Sequence, residues 1–123
     1  MSDLKIAVND QTRLTINQQR VLDELRKIGR ESLYRYREQS PYLFSEDCKK
    51  VSAGDEYCVF GMGGLSWWVS ARLDLKTPSV LGIFKALESK GLVLRETRNP
   101  KYKRPLYWWP VGLAAELATE VSQ

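Results

Sequence analysis

Between Thr77 and Gly91 the chain has little freedom in what it forms. Thr77 can cap a helix, and Pro78 follows at the first helical position, where a missing N–H costs nothing. Val80, Leu81, Phe84 and Leu87 recur at helical spacing, and Gly91 supplies the left-handed turn that ends such a helix. Leu92-Val93-Leu94 and Leu106-Tyr107-Trp108-Trp109 then read as two strands of a hairpin. The segment between them, Arg95 to Arg104, is strongly basic and forms the tip. Upstream, Ser66 is the candidate cap of a shorter helix through Trp67, Trp68, Val69 and Leu73. Asp74-Leu75-Lys76 is too short to be more than a turn, so the two helices form a helix-turn-helix pair with Leu75 in the angle. Spacing leaves open which of Trp67 and Trp68 packs inward.

The rest of the chain is read around that block. Thr15 and Gln18 make a capping box that starts a helix with Val21, Leu22, Leu25 and Ile28 on one face. Gly29 is a natural stop, yet Leu33 and Tyr36 stay in phase, so the helix can continue to Gln39-Ser40-Pro41. Residues 1–14 read as an N-terminal arm, with Leu4, Ile6 and Val8 alternating as in a strand. Residues 39–55 read as an inserted loop tethered by Tyr42, Leu43 and Phe44, long enough to hold local structure or a role of its own. Glu56 to Phe60 reads as a short strand and Gly61 to Gly64 as a turn; the glycines lack the lysine and spacing of a phosphate-binding loop. A last helix is predicted at 111–121, with Leu113, Leu117 and Val121 as its stripe. The prediction is one α+β domain over 15–123, mostly helical with a small antiparallel sheet.

Charge gives the first functional clue. The chain of 123 residues carries a net +4. Residues 1–75 have eleven basic and eleven acidic side chains, whereas residues 76–104 have eight basic and two acidic. That asymmetry favours a polyanionic partner over a uniformly solvated surface. There is no histidine, and the carboxylates are dispersed, so neither catalytic residues nor a metal or other cofactor is expected. Cys48 and Cys58 alone make no metal site; Cys58 reads as a buried thiol and Cys48 as exposed, with a disulfide the lesser alternative. No apolar run suits a membrane span or signal peptide, which points to the cytoplasm.

The order of elements resembles a winged helix-turn-helix. Val69 to Leu81 is similar to the alanine-containing helix, apolar turn residue and Thr/Ser-Val helix start of MarR-like and related prokaryotic or phage transcriptional regulators. Leu87-Glu88-Ser89-Lys90-Gly91-Leu92-Val93 resembles their join to the wing. The chain departs from that pattern in the 39–55 insertion and in the Trp108-Trp109 pair. The resemblance implies sequence-specific binding of double-stranded DNA, with 77–90 as recognition helix and 97–104 as basic wing. A protein-interaction module of the same fold, or a replication or partition factor, is the alternative.

On physical grounds the candidate contacts are Lys76, Thr77, Ser79, Gly82 and Lys85 on the helix, with Ile83 outward or flanking. Arg95, Arg98, Lys101, Tyr102, Lys103 and Arg104 follow on the hairpin. Gly82 either lets a groove wall approach or lets the preceding helix pack closely. Adjacent strand residues point to opposite faces, so only one of Trp108 and Trp109 is expected in a single core. The other covers the 66–73 helix or the final helix, stays partly exposed, or, with Leu113, Leu117 and Val121, forms a candidate homodimer contact; a closed monomer core competes with that contact. An effector, if there is one, has no recognisable constellation in the sequence.

Overall fold

A computed structural model describes residues 13–52, 63–95 and 107–122. Residues 1–12 of the expected arm, the expected strand at 56–60 with Cys58, and residues 96–106, which include all of the expected hairpin tip but Arg95, lie outside the described residues. Helix α1 runs over Ile16–Gln39, α2 over Pro41–Ser52, α3 over Ser66–Leu73, α4 over Thr77–Ser89 and α5 over Leu113–Ser122. Strands β1 (Val93–Arg95) and β2 (Trp108–Pro110) pair antiparallel, with Leu94 opposite Trp109 and Arg95 opposite Trp108. The described chain is thus α+β, mostly helical with a small two-stranded sheet.

Helix α1 is the spine. Its capping box forms as expected: Gln18 N–H donates to Thr15 Oγ1 (3.1 Å), and Thr15 N–H to Gln18 Oε1 (3.0 Å). The helix passes straight through Gly29, where the missing side chain lets Trp109 and Leu113 lie close against α1. At about 1.5 Å per residue this gives an axis of about 36 Å, long enough to carry two cores end to end. Val21, Leu25 and Ile28 of its N-terminal half meet Val69, Val80, Phe84, Leu87, Val93 and Trp108. Phe84 stacks on Trp108 at 4.9 Å between ring centroids. In the C-terminal half, Leu33 meets Phe44, Trp109, Leu113, Ala114 and Leu117.

The two tryptophans take the closed-core arrangement, with Trp109 against the final helix, and not the dimer contact. They do point to opposite faces, but both faces are covered: Trp108 is 2% exposed and Trp109 0%. Each fills one core. Leu113 and Leu117 are buried in the second core as well. Trp108, Trp109, Leu113 and Leu117 therefore hold the monomer together and offer no surface to a second copy. Val121 lies in α5, its side chain outside those described.

Part of the core around Trp109 comes from the segment read as an inserted loop. Residues 41–52 are helix α2. Pro41 ends one helix and begins the next, its missing N–H harmless in a first turn, and Phe44 N–H donates to the Ser40 carbonyl (2.9 Å). Phe44 and Cys48, four residues apart, turn inward; Tyr36 packs edge-on to Phe44 (5.8 Å) and its hydroxyl donates to Asp47 (2.7 Å). Of the three expected tethers only Phe44 is buried, while Tyr42 is 75% and Leu43 55% exposed. Cys48 is half-buried rather than exposed and free of any disulfide. Burial, reinforced by Asp47 and opposed by Arg37, pushes its thiol above the ordinary range. Helix α5 docks beside α2, and Glu116 reaches α1, accepting from Arg26 at 2.7 and 2.8 Å.

Candidate nucleic-acid interface

The angle between α3 and α4 is set by polar groups as well as by Leu75. Asp74 adopts φ 55°, ψ 45°, which ends α3 in one residue. Leu75 N–H returns to the Ser70 carbonyl (3.0 Å), and Leu75 packs half-buried against the core. Ser70 is a buried polar residue of this core. Its hydroxyl donates to the Trp67 carbonyl (2.9 Å) and lies 2.9 Å from Thr77 Oγ1. With the serine proton committed, the threonine proton completes the pair. Thr77 is thus a tie between helices and not a cap. The cap position is Lys76, without a side-chain bond, and Pro78 falls one residue later than expected. Similarly, Ser66 is the first residue of α3 rather than its cap, which is Leu65.

Helix α4 buries Val80, Phe84 and Leu87, as its spacing predicts. Its opposite face bears Ser79, Gly82, Lys85 and Ser89, all exposed, with Lys76 and Thr77 exposed at its start. Ile83 packs half-buried against the core, the flanking one of its two expected positions. A Cβ built on Gly82 meets nothing within 4 Å, so close approach of α3 is not the reason for this glycine. Ser89 spends its hydroxyl on carbonyls of its own helix. Among the described residues Lys76 and Lys85 pair with no carboxylate. No acidic residue sits in the first turn of α4, so its N-terminal field is unopposed there.

The end of α4 is closed by Gly91 at φ +76°. Leu92 N–H reaches the Leu87 carbonyl (3.0 Å) and Gly91 N–H the Glu88 carbonyl (2.9 Å), the paired bonds of a Schellman motif. The chain leaves directly into β1. There Arg95 departs from its expected role. Its Nε and Nη2 both donate to the Glu88 carboxylate at 2.8 Å, and its guanidinium lies 5.1 Å from the Trp108 ring centroid. The Glu88 hydrogen bond holds the Arg95 pKa above its ordinary value. Arg95 therefore braces strand to helix and is not free for a phosphate. Glu88 was not singled out in the sequence; an acidic residue on the last turn of a helix, with an arginine just beyond the turn, is the signal that could have found it.

On the other side of β2, Gly64 exchanges both backbone bonds with Trp108, at 3.0 and 2.8 Å. This bridge ties the segment preceding α3 to the sheet. Arg98, Lys101, Tyr102, Lys103 and Arg104 lie outside the described residues. Of the remaining sequence-derived contacts, Lys76, Thr77, Ser79, Gly82 and Lys85 share one exposed side of α4 and its start, whereas Arg95 is turned to Glu88. Among the described residues no three Cys, Asp or Glu side chains gather to hold a metal, and no helix is long and apolar enough to cross a membrane. Comparison with protein-family models, curated proteins and solved structures returns no match.

Proposed function

We propose that this chain binds double-stranded DNA sequence-specifically through a winged helix-turn-helix, as a transcriptional regulator. Helix α4 is the recognition helix in the major groove, and segment 97–104 is the basic wing on the neighbouring backbone. The observation that carries the reading is the outward face of α4. Its apolar stripe is fully used in the core, and its small exposed residues are flanked by Lys76 and Lys85. Such a face allows a groove wall to come close. The cations of residues 98–104 follow on the hairpin that α4 leads into, which supports a phosphate-binding role for them. The sequence resemblance over 69–81 and 87–93 points the same way. Two copies on a palindromic site belong to the proposal, with the contact outside the four core residues named above.

Selection of bound duplexes from a random pool tests the reading directly. A recovered motif is the expected result. Duplex binding with no motif favours a replication or partition role, and no duplex binding rejects the proposal. Arg98→Ala with Lys101→Ala should weaken all duplexes alike and reduce the salt slope by about one per cation. Unchanged affinity across salt concentrations would remove the wing from the interface.

A further inference from the structure

A second surface lies away from α4. Along one side of α1, a groove of about 400 Å³ runs between that helix and α3, with Ile28 and Ser32 on one wall and Trp67 and Trp68 on the other. An adjoining hollow of about 270 Å³ shares Ser32, Arg35 and Trp68 and continues to Gln39 and Tyr107. The two make one channel along α1 from Ile28 to Gln39, about 16 Å at the helical rise. Its wall is an aromatic ladder: Trp67 meets Trp68 edge-on at 5.8 Å, and Trp68 meets Tyr107 at 6.0 Å. Trp67 is 58% exposed on an eight-residue helix, an unusual position for so large an apolar side chain.

The charges in the channel are unequally satisfied. Arg72 is engaged by Glu24 (3.1 Å) and Glu31 (3.8 Å). Arg35, where the two hollows meet, is exposed and pairs with no carboxylate among the described residues. Among the described residues the channel thus presents one unpaired cation beside a row of rings. Its length matches about five extended residues, more than a compact small molecule spans. A nucleic-acid strand of that length would bring several phosphates against one unpaired cation and against Glu31, which lines the same groove. One carboxylate beside an apolar group is the complementary pattern.

We propose that this channel docks a short extended segment of a partner protein, with an acidic side chain on Arg35 and an adjoining apolar side chain against Trp67 and Trp68. None of these residues is on α4, so the docking is independent of the DNA reading and leaves that helix free. Trp67 is the energetic anchor, since buried aromatic contacts dominate small interfaces, and Arg35 sets the preference for acid.

The full chain, panned against a random-peptide display library, should enrich segments with Asp or Glu next to an aromatic or aliphatic residue. A synthetic copy of the enriched segment is then titrated against the wild-type chain, Arg35→Glu and Trp67→Ala. Both positions are exposed, and circular dichroism checks that each variant is folded. Each variant should lower affinity about tenfold, the loss of one charge-assisted bond or one ring contact. The proposal is overturned if no segment is enriched, or if neutral or basic segments are. It is equally overturned if both variants bind the segment as wild type does, or if oligothymidylate binds in its place and loses affinity in Arg35→Glu. Duplex binding by the same two variants should be unchanged, which separates failure here from failure of the DNA reading.

Discussion

Gly82, inside α4, and Gly63, in the segment that bridges to β2, stand in opposite situations. The space around Gly82 is open, and it lies inside a regular helix with no need for a special backbone conformation. Replacing it by alanine should stabilise the chain by about 1 kcal/mol, the usual helix-propensity gain. The same methyl group would stand on the exposed face of α4, so duplex affinity should fall while the melting temperature rises. A stabilised variant with full duplex affinity would mean that this face does not meet a groove. Gly63, by contrast, faces the backbone of β2: an added Cβ would collide with the Trp108 carbonyl, which cannot move without breaking its bond to Gly64. Gly63→Ala should cost about 3 kcal/mol, near the upper end for overpacking, and chemical denaturation would measure it.

At the scale of elements, the brace between α4 and β1 does work that a phosphate contact would not. Glu88 and Arg95 are each about one-third exposed, so their pair is partly screened (side-chain exposures 33% and 35%). Glu88→Gln should therefore destabilise the fold by about 1 kcal/mol. Arg95→Met, which keeps apolar contact with Trp108, should leave the salt slope of duplex binding untouched, unlike loss of a wing cation. A flattened slope in Arg95→Met would restore Arg95 to the interface. The same elements show what could be read from the chain. The Thr15 capping box and the Gly91 stop were legible because the bonds that make them span only three to five residues. Pro41 was read as an end because it does end α1, but the chain reuses it to begin α2. The burial of Trp109 was hidden for a different reason. It depends on Leu33 of α1 and Phe44 of α2, which are distant in the chain, meeting the adjoining α5 around it, and no local pattern encodes that. On the site, the exposed face of α4 followed from its periodicity, while the Arg35 channel exists only once α1 and α3 are packed together.

Over the whole molecule, two adjacent residues of one short strand supply a central ring to each of two separate cores. Helix α1 passes through both. Neither core can be dismantled while the other keeps β2 and α1 in place, so the described chain should melt in a single cooperative transition. Trp108→Phe and Trp109→Phe variants retain an aromatic filler but each silences one reporter. Thermal curves followed by the fluorescence of the three tryptophans left in each variant, each compared with its own circular dichroism, should superimpose. Separate midpoints would show that the halves unfold on their own. If the transition is single, occupancy of α4 by a duplex protects the far end against unfolding as much as the near one. A thermal-shift assay would then register ligands at either surface through one shared signal, and back-to-back indoles act as the rivet through which that protection is transmitted.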